Sequence, residues 1–378
     1  MKRPLTLVGT IFESFLLLDD KRTANSSYSL EAVLFSLLVG VLCGGDGFVQ
    51  AEAIARQYKP FIKKYVTLSR DVPSHDTMAR VLALIDPQQF SDAFSTFMER
   101  LTGFSRRDIY NLDGKTLRGV VGVGALKRSR SDAALHQLQI VSLFSTMRNV
   151  VLAQVKTMKS VNEVKSAQEL LQLFDIRNTI VTMDAMHCTR RTLEIIAEQG
   201  ADAIVTVKRN APALDDVITE TIRRQKPIVI TTTERGRGGR RERRTYRVYE
   251  ASLSTYPTIK SVIVVTRENV SHSGPQKKAN VTRYASTLPH IDAKLIADCI
   301  RRRWTIENTF HYTLDVTFGE DRSRVREKNA AENLSRVRHL AFNLLSLVKT
   351  KEKVSFAMKR IKCAMDPAFL ARVLRLPS

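Results

Sequence analysis

Acidic residues are scarce in this chain relative to basic ones. Asp and Glu number 38 against 60 Lys and Arg in 378 residues, a formal net charge of +22. That shortage favours a polyanionic partner, nucleic acid first, over the plainer alternatives of a basic ribosomal or membrane-surface protein. Cysteine is also sparse. Cys43, Cys188, Cys299 and Cys363 are scattered and form no C-x-x-C pair, which argues against a disulfide framework or zinc site and fits a reducing compartment. No apolar run is long enough to span a bilayer, since the longest, Ala32 to Cys43, has the length of a buried helix. The start of the chain lacks a small-residue cleavage site after a clean apolar stretch, so no signal peptide is expected. A soluble, cytoplasmic protein with no membrane partner is the expectation. Charged residues at 26% and hydrophobic residues at 43% exclude a disordered chain.

Residues 1–105 read as an all-helical N-terminal domain, a candidate for DNA binding or an ordinary bundle. Ser29 is placed to cap a helix through the Ala32–Cys43 run, and Gly44-Gly45-Asp46-Gly47 ends it. A second helix is expected from Val49 to Gln57, with Pro60 beyond it. A third follows Pro73-Ser74-His75-Asp76, and a fourth follows Asp86-Pro87.

The pattern changes near residue 107. Asp108–Asp113 is strand-like and ends on a carboxylate, followed by a Gly-rich, basic loop with Lys115, Arg118, Lys127, Arg128 and Arg130. Leu138–Phe144 and Val150–Val155 read as a hairpin, Glu163–Phe174 as a helix, and Thr179–Asp184 as a short strand ending on a second acid. A helix from Arg190 and a strand from Ala203 to Lys208 follow. The order β-β-β-α-β-α-β predicts an α/β protein with a ribonuclease H-like catalytic core. In that fold the first and fourth strands are neighbours, so Asp113 and Asp184 would sit at adjacent strand ends, where ligands of open sheets lie. Residues 106–208 are assigned to this first part of the core.

Residues 209–292 read as a mostly β insertion that interrupts it. Ten basic residues fall within 223–247 (Arg223, Arg224, Lys226, Arg235, Arg237, Arg240, Arg241, Arg243, Arg244 and Arg247) against only Glu234 and Glu242. Phosphate contact explains that excess better than base reading. Residues 293–378 are expected to complete the core with a helix from Ala293 to about Leu314, then further helices. Ile296, Ile300, Arg303, Glu307, Phe310 and Leu314 fall on one stripe of that helix. Of the acids nearby, Asp315 is rotated off the stripe, while Glu320 and Asp321 follow the Phe318-Gly319 break and are expected to face solvent or orient neighbouring basic residues. Glu307 is therefore the choice for third acid.

Two aspartates and one glutamate are all oxygen donors, which suit Mg²⁺, or Mn²⁺ as a substitute, as a pair of ions serving phosphodiester chemistry. His187 and Cys188 form the nearest approach to a zinc pair, but no second pair matches them. His311 lies one turn from Glu307 and could support it.

These motifs resemble those of the ISAs family of insertion-sequence transposases, also called H-repeat-associated proteins. Asn111-Leu112-Asp113-Gly114-Lys115-Thr116-Leu117-Arg118-Gly119 resembles the family's first-aspartate motif and Asp184-Ala185-Met186-His187-Cys188 its second. Arg303-Trp304-Thr305-Ile306-Glu307-Asn308, with Leu314–Phe318 and Glu320–Arg324 beyond it, resembles the third. Pro73–Thr77 and the Gly44–Gly47 turn match the family's N-terminal region. The resemblance implies a bacterial, nucleoid-associated DDE transposase with Asp113, Asp184 and Glu307 as catalytic and metal-binding acids. It also implies that Arg303 is the arginine preceding the glutamate. Ile300 stands where the wider group has tyrosine, Leu314 where it has lysine, and Thr189 where glutamine is common. The expected partner is double-stranded DNA (element terminal inverted repeats and target), bound by a homo-oligomer. Lys115, Arg118, Lys127, Arg128, Arg130, Arg240, Arg241, Arg243, Arg244 and Arg303 are the expected DNA contacts. The alternatives are a catalytically silent DNA-binding descendant and a metal-dependent nuclease without joining.

Overall fold

Ser29 caps the first helix: its Oγ accepts the Ala32 N–H at 3.2 Å, opening α1 (Leu30–Leu42). The computed structural model describes residues 12, 15, 17–22, 26–103, 107–117, 138–158, 163–208, 211–235, 241–270 and 279–376. Two compact units are interleaved along the chain. The first holds Met1–Phe104, Gly114–Ser166 and Thr305–Ser378, and the second holds Ser105–Asp113 and Ala167–Trp304.

In the first unit α1 is followed by α2 (Phe48–Gln57) and α3 (Lys59–Ile62). Pro60 lies beyond α2, as expected, and inside the first turn of α3, a position where its missing N–H costs nothing. Ser74 caps α4 (His75–Leu84), and Asp86 caps α5 (Pro87–Thr102). Next come β1 (Ile109–Thr116), whose last three residues belong to this unit, and the antiparallel hairpin of β2 (Leu138–Ser145) and β3 (Val150–Met158). A further helix, α6 (Glu163–Leu173), runs from the first unit into the second.

The second unit holds β4 (Ile180–Met183), α7 (Arg190–Glu198), β5 (Asp202–Val207), α8 (Pro212–Arg224), β6 (Ile228–Arg235), β7 (Arg241–Glu250), β8 (Ser261–Val270), β9 (Asn280–Ser286) and α9 (Ala293–Arg302). Its strands lie in the order β1-β4-β5-β9-β8-β7-β6. β1, β4 and β5 are mutually parallel and the rest pair antiparallel. Ile296 and Ile300 of α9 are buried in a core with Ile109, Ile180, Ile204, Val248, Ile263 and Tyr284. The basic segment is thus β-rich, as its alternating runs predict. α8 is an addition, opened by Pro212 with Asp215 in its first turn, start signals that the surrounding β-like runs obscured. The glycines at Gly236, Gly238 and Gly239 suggest a hairpin tip, a stretch that lies outside the described residues.

The expected helix from Ala293 to Leu314 is not continuous. α9 ends at Arg302, and Ile306–His311 forms a π turn in which the Tyr312 N–H reaches back to the Glu307 carbonyl, before α10 (Tyr312–Val316). The wider turn shifts the side-chain phase. Ile306, Phe310 and Leu314 are buried while Glu307 is exposed, so Glu307 is not on the buried stripe that regular periodicity predicts. Phe310 anchors the turn, its ring 5.8 Å from Phe144, 5.1 Å from Phe342 and 5.0 Å from His339.

The long helix α11 (Lys328–Leu347) organises the first unit. Asn343 takes the Val151 N–H at 2.8 Å and gives its own to the Val151 carbonyl at 2.7 Å, satisfying an edge of β3. Asn333 donates to the carbonyls of Leu82 and Ile85. The basic tail forms further helices, as expected: α12 (Phe356–Met365) and α13 (Pro367–Val373). Arg360 of α12 donates to the Val41 and Gly45 carbonyls and to Asp46, tying the tail to the Gly44–Gly47 turn.

A Cβ at Gly40 in α1 would stand 2.6 Å from the Ala51 Cα and 2.7 Å from its carbonyl oxygen in α2, so backbone meets backbone there. Gly40→Ala is expected to lower the unfolding free energy by about 2 kcal/mol through overpacking. Urea unfolding measures it, and an unchanged midpoint would mean the two helices are free to separate.

Candidate active site

Parallel pairing sets the site. Leu112 of β1 and Met183 of β4 are the last registered pair of that ladder, so Asp113 and Asp184, each the next residue, follow it at the same end; β1 itself runs on to Thr116 instead of ending on Asp113 as its apolar run suggests. Both lie in the second unit. Asp184 is half-buried and carries two cations: Lys208 Nζ at 3.3 Å, just past β5, and Arg303 at 3.4 Å, just past α9. Burial pushes its carboxyl up, but the Ala185 N–H, Arg303 and Lys208 outweigh burial and hold it below the ordinary carboxylate value. Asp184 is therefore an ionised oxygen donor at neutral pH. His187, buried beside it, is pushed down to about 4 by burial, with Asp184 opposing and Arg303 adding, so it stays neutral.

Asn111 is a residue that sequence reading did not single out. It is buried on β1, and its Nδ2 donates to the carbonyls of Arg302 and Arg303 at 3.2 Å each. Its Oδ1 accepts from the Thr182 hydroxyl of β4. One amide thus ties both acid-bearing strands to the end of α9 and fixes the backbone from which Arg303 reaches Asp184. A polar residue in the otherwise apolar Ile109–Leu112 run was the available signal.

Glu307 lies in the first unit, exposed on the π turn. Among the described residues no three His, Cys, Asp or Glu side chains are grouped closely enough to hold one metal ion. The structure thus brings together Asp113, Asp184 and Arg303, and describes Glu307 separately. Lys115, expected at a phosphate, is nearly enclosed: it pairs with Asp315, with Glu320 at 3.4 Å and with Asp321 at 3.9 Å. Glu320, expected to face solvent or orient neighbouring basic residues, is buried beside this ammonium and accepts from the Ser335 hydroxyl, following the left-handed Gly319. Arg118, Lys127, Arg128, Arg130 and Arg240 lie outside the described residues.

The arginines of β7 divide by strand alternation. Arg241 and Arg243 are exposed on one face. Arg244 points the other way, largely buried and paired with Glu242. Tyr246 and Val248 on that second face join the core beneath α9.

An α/β sheet with two aspartates just beyond the paired end of adjacent parallel strands, in a strongly basic chain, is an arrangement compatible with chemistry on nucleic acid. The family profile described as "Transposase DDE domain" matches residues 105–344, and one described as "DDE_Tnp_1-associated" matches residues 12–98. The chain belongs to the DDE transposase family. It is 30% identical over 368 residues to "H repeat-associated putative transposase YhhI" of Escherichia coli K12, covering 94% of this chain and 95% of that one. "Putative protein YbfL" of the same organism is 30% identical over 377 residues, covering 96% and 97%. Among solved structures, "Cryo-EM structure of piggyBac transposase synaptic complex with hairpin DNA (SNHP)" aligns with a TM-score of 0.47 at 11% identity, over 99% of this chain and 80% of that one. Among the described residues no helix is long and apolar enough to cross a membrane.

Asn111→Ala removes both donors and leaves the Arg302 and Arg303 carbonyls without them. The expected loss is about 2 kcal/mol of unfolding free energy, with Thr182→Val costing about half that. Equal stability of Asn111→Ala and the parent in urea would contradict the linking role.

Proposed function

We propose that this DDE transposase cleaves DNA at transposon ends and joins the ends to target DNA, using Asp113, Asp184 and Glu307 as its catalytic acids on a ribonuclease H-like core. The observation that carries this reading is the registered parallel pairing of β1 and β4, which sets Asp113 and Asp184 at one sheet end. The β2–β3 hairpin and the parallel β4–β5 pair are the further core features that support it. The donor set fits a hard divalent cation: the acids offer only oxygen, and Asp184 already sits among cationic groups while ionised. Asp113, Asp184 and Glu307 would hold Mg²⁺ or Mn²⁺, as two ions, which when bound supplies an activated nucleophile and charge stabilisation at the scissile phosphate.

The chain's own residues do the rest. Asn111 keeps the Arg303 backbone in place, and Arg303 is the cation positioned to meet a phosphate oxygen once released from Asp184. Lys208 holds Asp184 ionised from the other side. On β7, Arg241 and Arg243 are the groups available to backbone phosphate, with Lys226, Arg223 and Arg224 exposed nearby in sequence. Assembly of several copies on DNA, and the division into helical N-terminal domain, split core and basic insertion, belong to the same reading.

The deciding experiment uses a duplex bearing the inverted repeat that flanks the gene, with Mn²⁺. Asp113→Asn, Asp184→Asn and Glu307→Gln should each slow cleavage and strand transfer at least ~10³-fold, because several kcal/mol of charge stabilisation is lost, with DNA affinity kept. Robust nicking by Asp184→Asn, or joining by Glu307→Gln, would sink the assignment. Products cleaved but never joined would favour a nuclease.

The face assignment on β7 gives a separate expectation. Arg241→Ala and Arg243→Ala should each lower the slope of log affinity against log salt by about one unit across unrelated sequences. Arg244→Ala should leave that slope unchanged and instead cost stability, since Glu242 loses its partner. The reverse pattern would place the DNA on the opposite face.

A further inference from the structure

We infer that Lys115 is a positioning residue that fixes the Glu307 segment against the end of β1 through Asp315, rather than a DNA contact. The inference rests on the reading of Glu307 as the third acid. Lys115 follows Asp113 by two residues, and Asp315 follows Glu307 by eight. Within the first unit, the Lys115 ammonium joins Asp315 on α10 to the Gly114–Thr116 end of β1. α10 continues directly from the π turn that bears Glu307.

Two constraints then hold this segment. Phe310 secures its buried side among Phe144, Phe342 and His339. Lys115 secures it through charge, with side-chain exposure of only 11%. Rotation about the Phe310 anchor would break the Lys115–Asp315 pair. The same ammonium reaches Glu320, which is 1% exposed and accepts from the Ser335 hydroxyl of α11 at 2.8 Å. His339, one turn further along α11, lies 3.5 Å from Glu320. The cluster thus connects β1, α10 and α11 through one cation.

Stability alone is a poor reason for this arrangement, because a buried ion cluster rarely outperforms apolar packing of the same volume. Three carboxylates also face one lysine. Burial already pushes the Asp315 carboxyl up, against the pull of Lys115 and with Asp321 and Glu320 adding to the rise. Without Lys115 the three acids would repel one another, and α10 is the piece free to yield. What the lysine supplies is a defined placement of the segment that carries Glu307. The π turn breaks the regular helical period, so the segment's placement depends on the contacts of Phe310 within the turn and of Asp315 just beyond it.

The test compares Lys115→Met, Lys115→Arg, Asp315→Asn and Glu307→Gln with the parent. All are full-length and are assayed below their melting transitions on the inverted-repeat duplex. Lys115→Met should slow single-turnover cleavage on the order of 10²-fold, the scale of an ångström-level misplacement, while DNA affinity stays within about twofold. Its Mn²⁺ half-saturation should rise, which a loss of stability alone would not produce. Lys115→Arg should recover most of the rate. Asp315→Asn relieves the excess negative charge and so keeps the fold even if Lys115→Met does not, and should cost cleavage roughly 10-fold. Cleavage at the parental rate by Lys115→Met or by Asp315→Asn, with Glu307→Gln inactive, overturns the positioning role and leaves the function reading standing. A drop in DNA affinity that accounts for the whole loss of rate overturns it in favour of phosphate contact. An active Glu307→Gln removes the function reading itself, and the inference with it.

Discussion

The parallel pairing of β1 with β4 is the constraint on which the site depends. Two strands separated in the chain by a hairpin and a helix lie side by side, and an acid follows the last registered pair on each. A one-residue slip in either strand would turn one carboxylate to the opposite face. Register is therefore a chemical requirement here. Asn111 guards it, because its amide links the Thr182 hydroxyl on the paired strand to the carbonyls at the end of α9. The same tie brings Arg303 within reach of Asp184, so strand register and the electrostatics of the acid are one arrangement.

Charge is sorted by the secondary structure that carries it. The run of arginines in the basic segment looks uniform as a string, yet β7 sends Arg241 and Arg243 to solvent and turns Arg244 toward Glu242 and the core. Glu234 on β6 is held by Arg301 of α9 at 2.5 Å, so part of the acidic minority serves to fasten α9 to the sheet. A chain at +22 thus keeps some of its cations for internal use. Lys115 and Arg360 are further cases, both largely buried among acceptors.

Much of the fold was legible because its signals are local. Ser29, Ser74 and Asp86 cap the helices that follow them, Gly200 follows the helix begun at Arg190 in positive φ, and alternating apolar runs give the strands within a few residues. Asp113 and Asp184 stand out for the same reason, each being the acid that follows an apolar run, although β1 continues past Asp113 to Thr116. The helix carrying Glu307 was only half legible. Its buried residues were chosen correctly at Ile296, Ile300, Phe310 and Leu314, but a constant 3.6-residue period cannot anticipate a π turn, and Glu307 came out exposed. The burial of Glu320 was not legible, because an acid after a Phe-Gly break reads as solvated or as a partner of nearby basic residues, whereas its cation, Lys115, comes from a distant part of the chain.

By itself the sequence determined the surplus of positive charge, the caps and breaks, the apolar runs that lead into each aspartate, and motifs specific enough to indicate the family. These are properties of neighbouring residues, written in periods of two and near four. The tertiary structure alone decided which arginines face outward, where the Glu307 helix breaks, and that Asn111 and Lys115 act as internal ties. Those outcomes depend on groups 71 to 205 residues apart meeting at hydrogen-bond or ion-pair distance, and local periodicity carries no record of such partners.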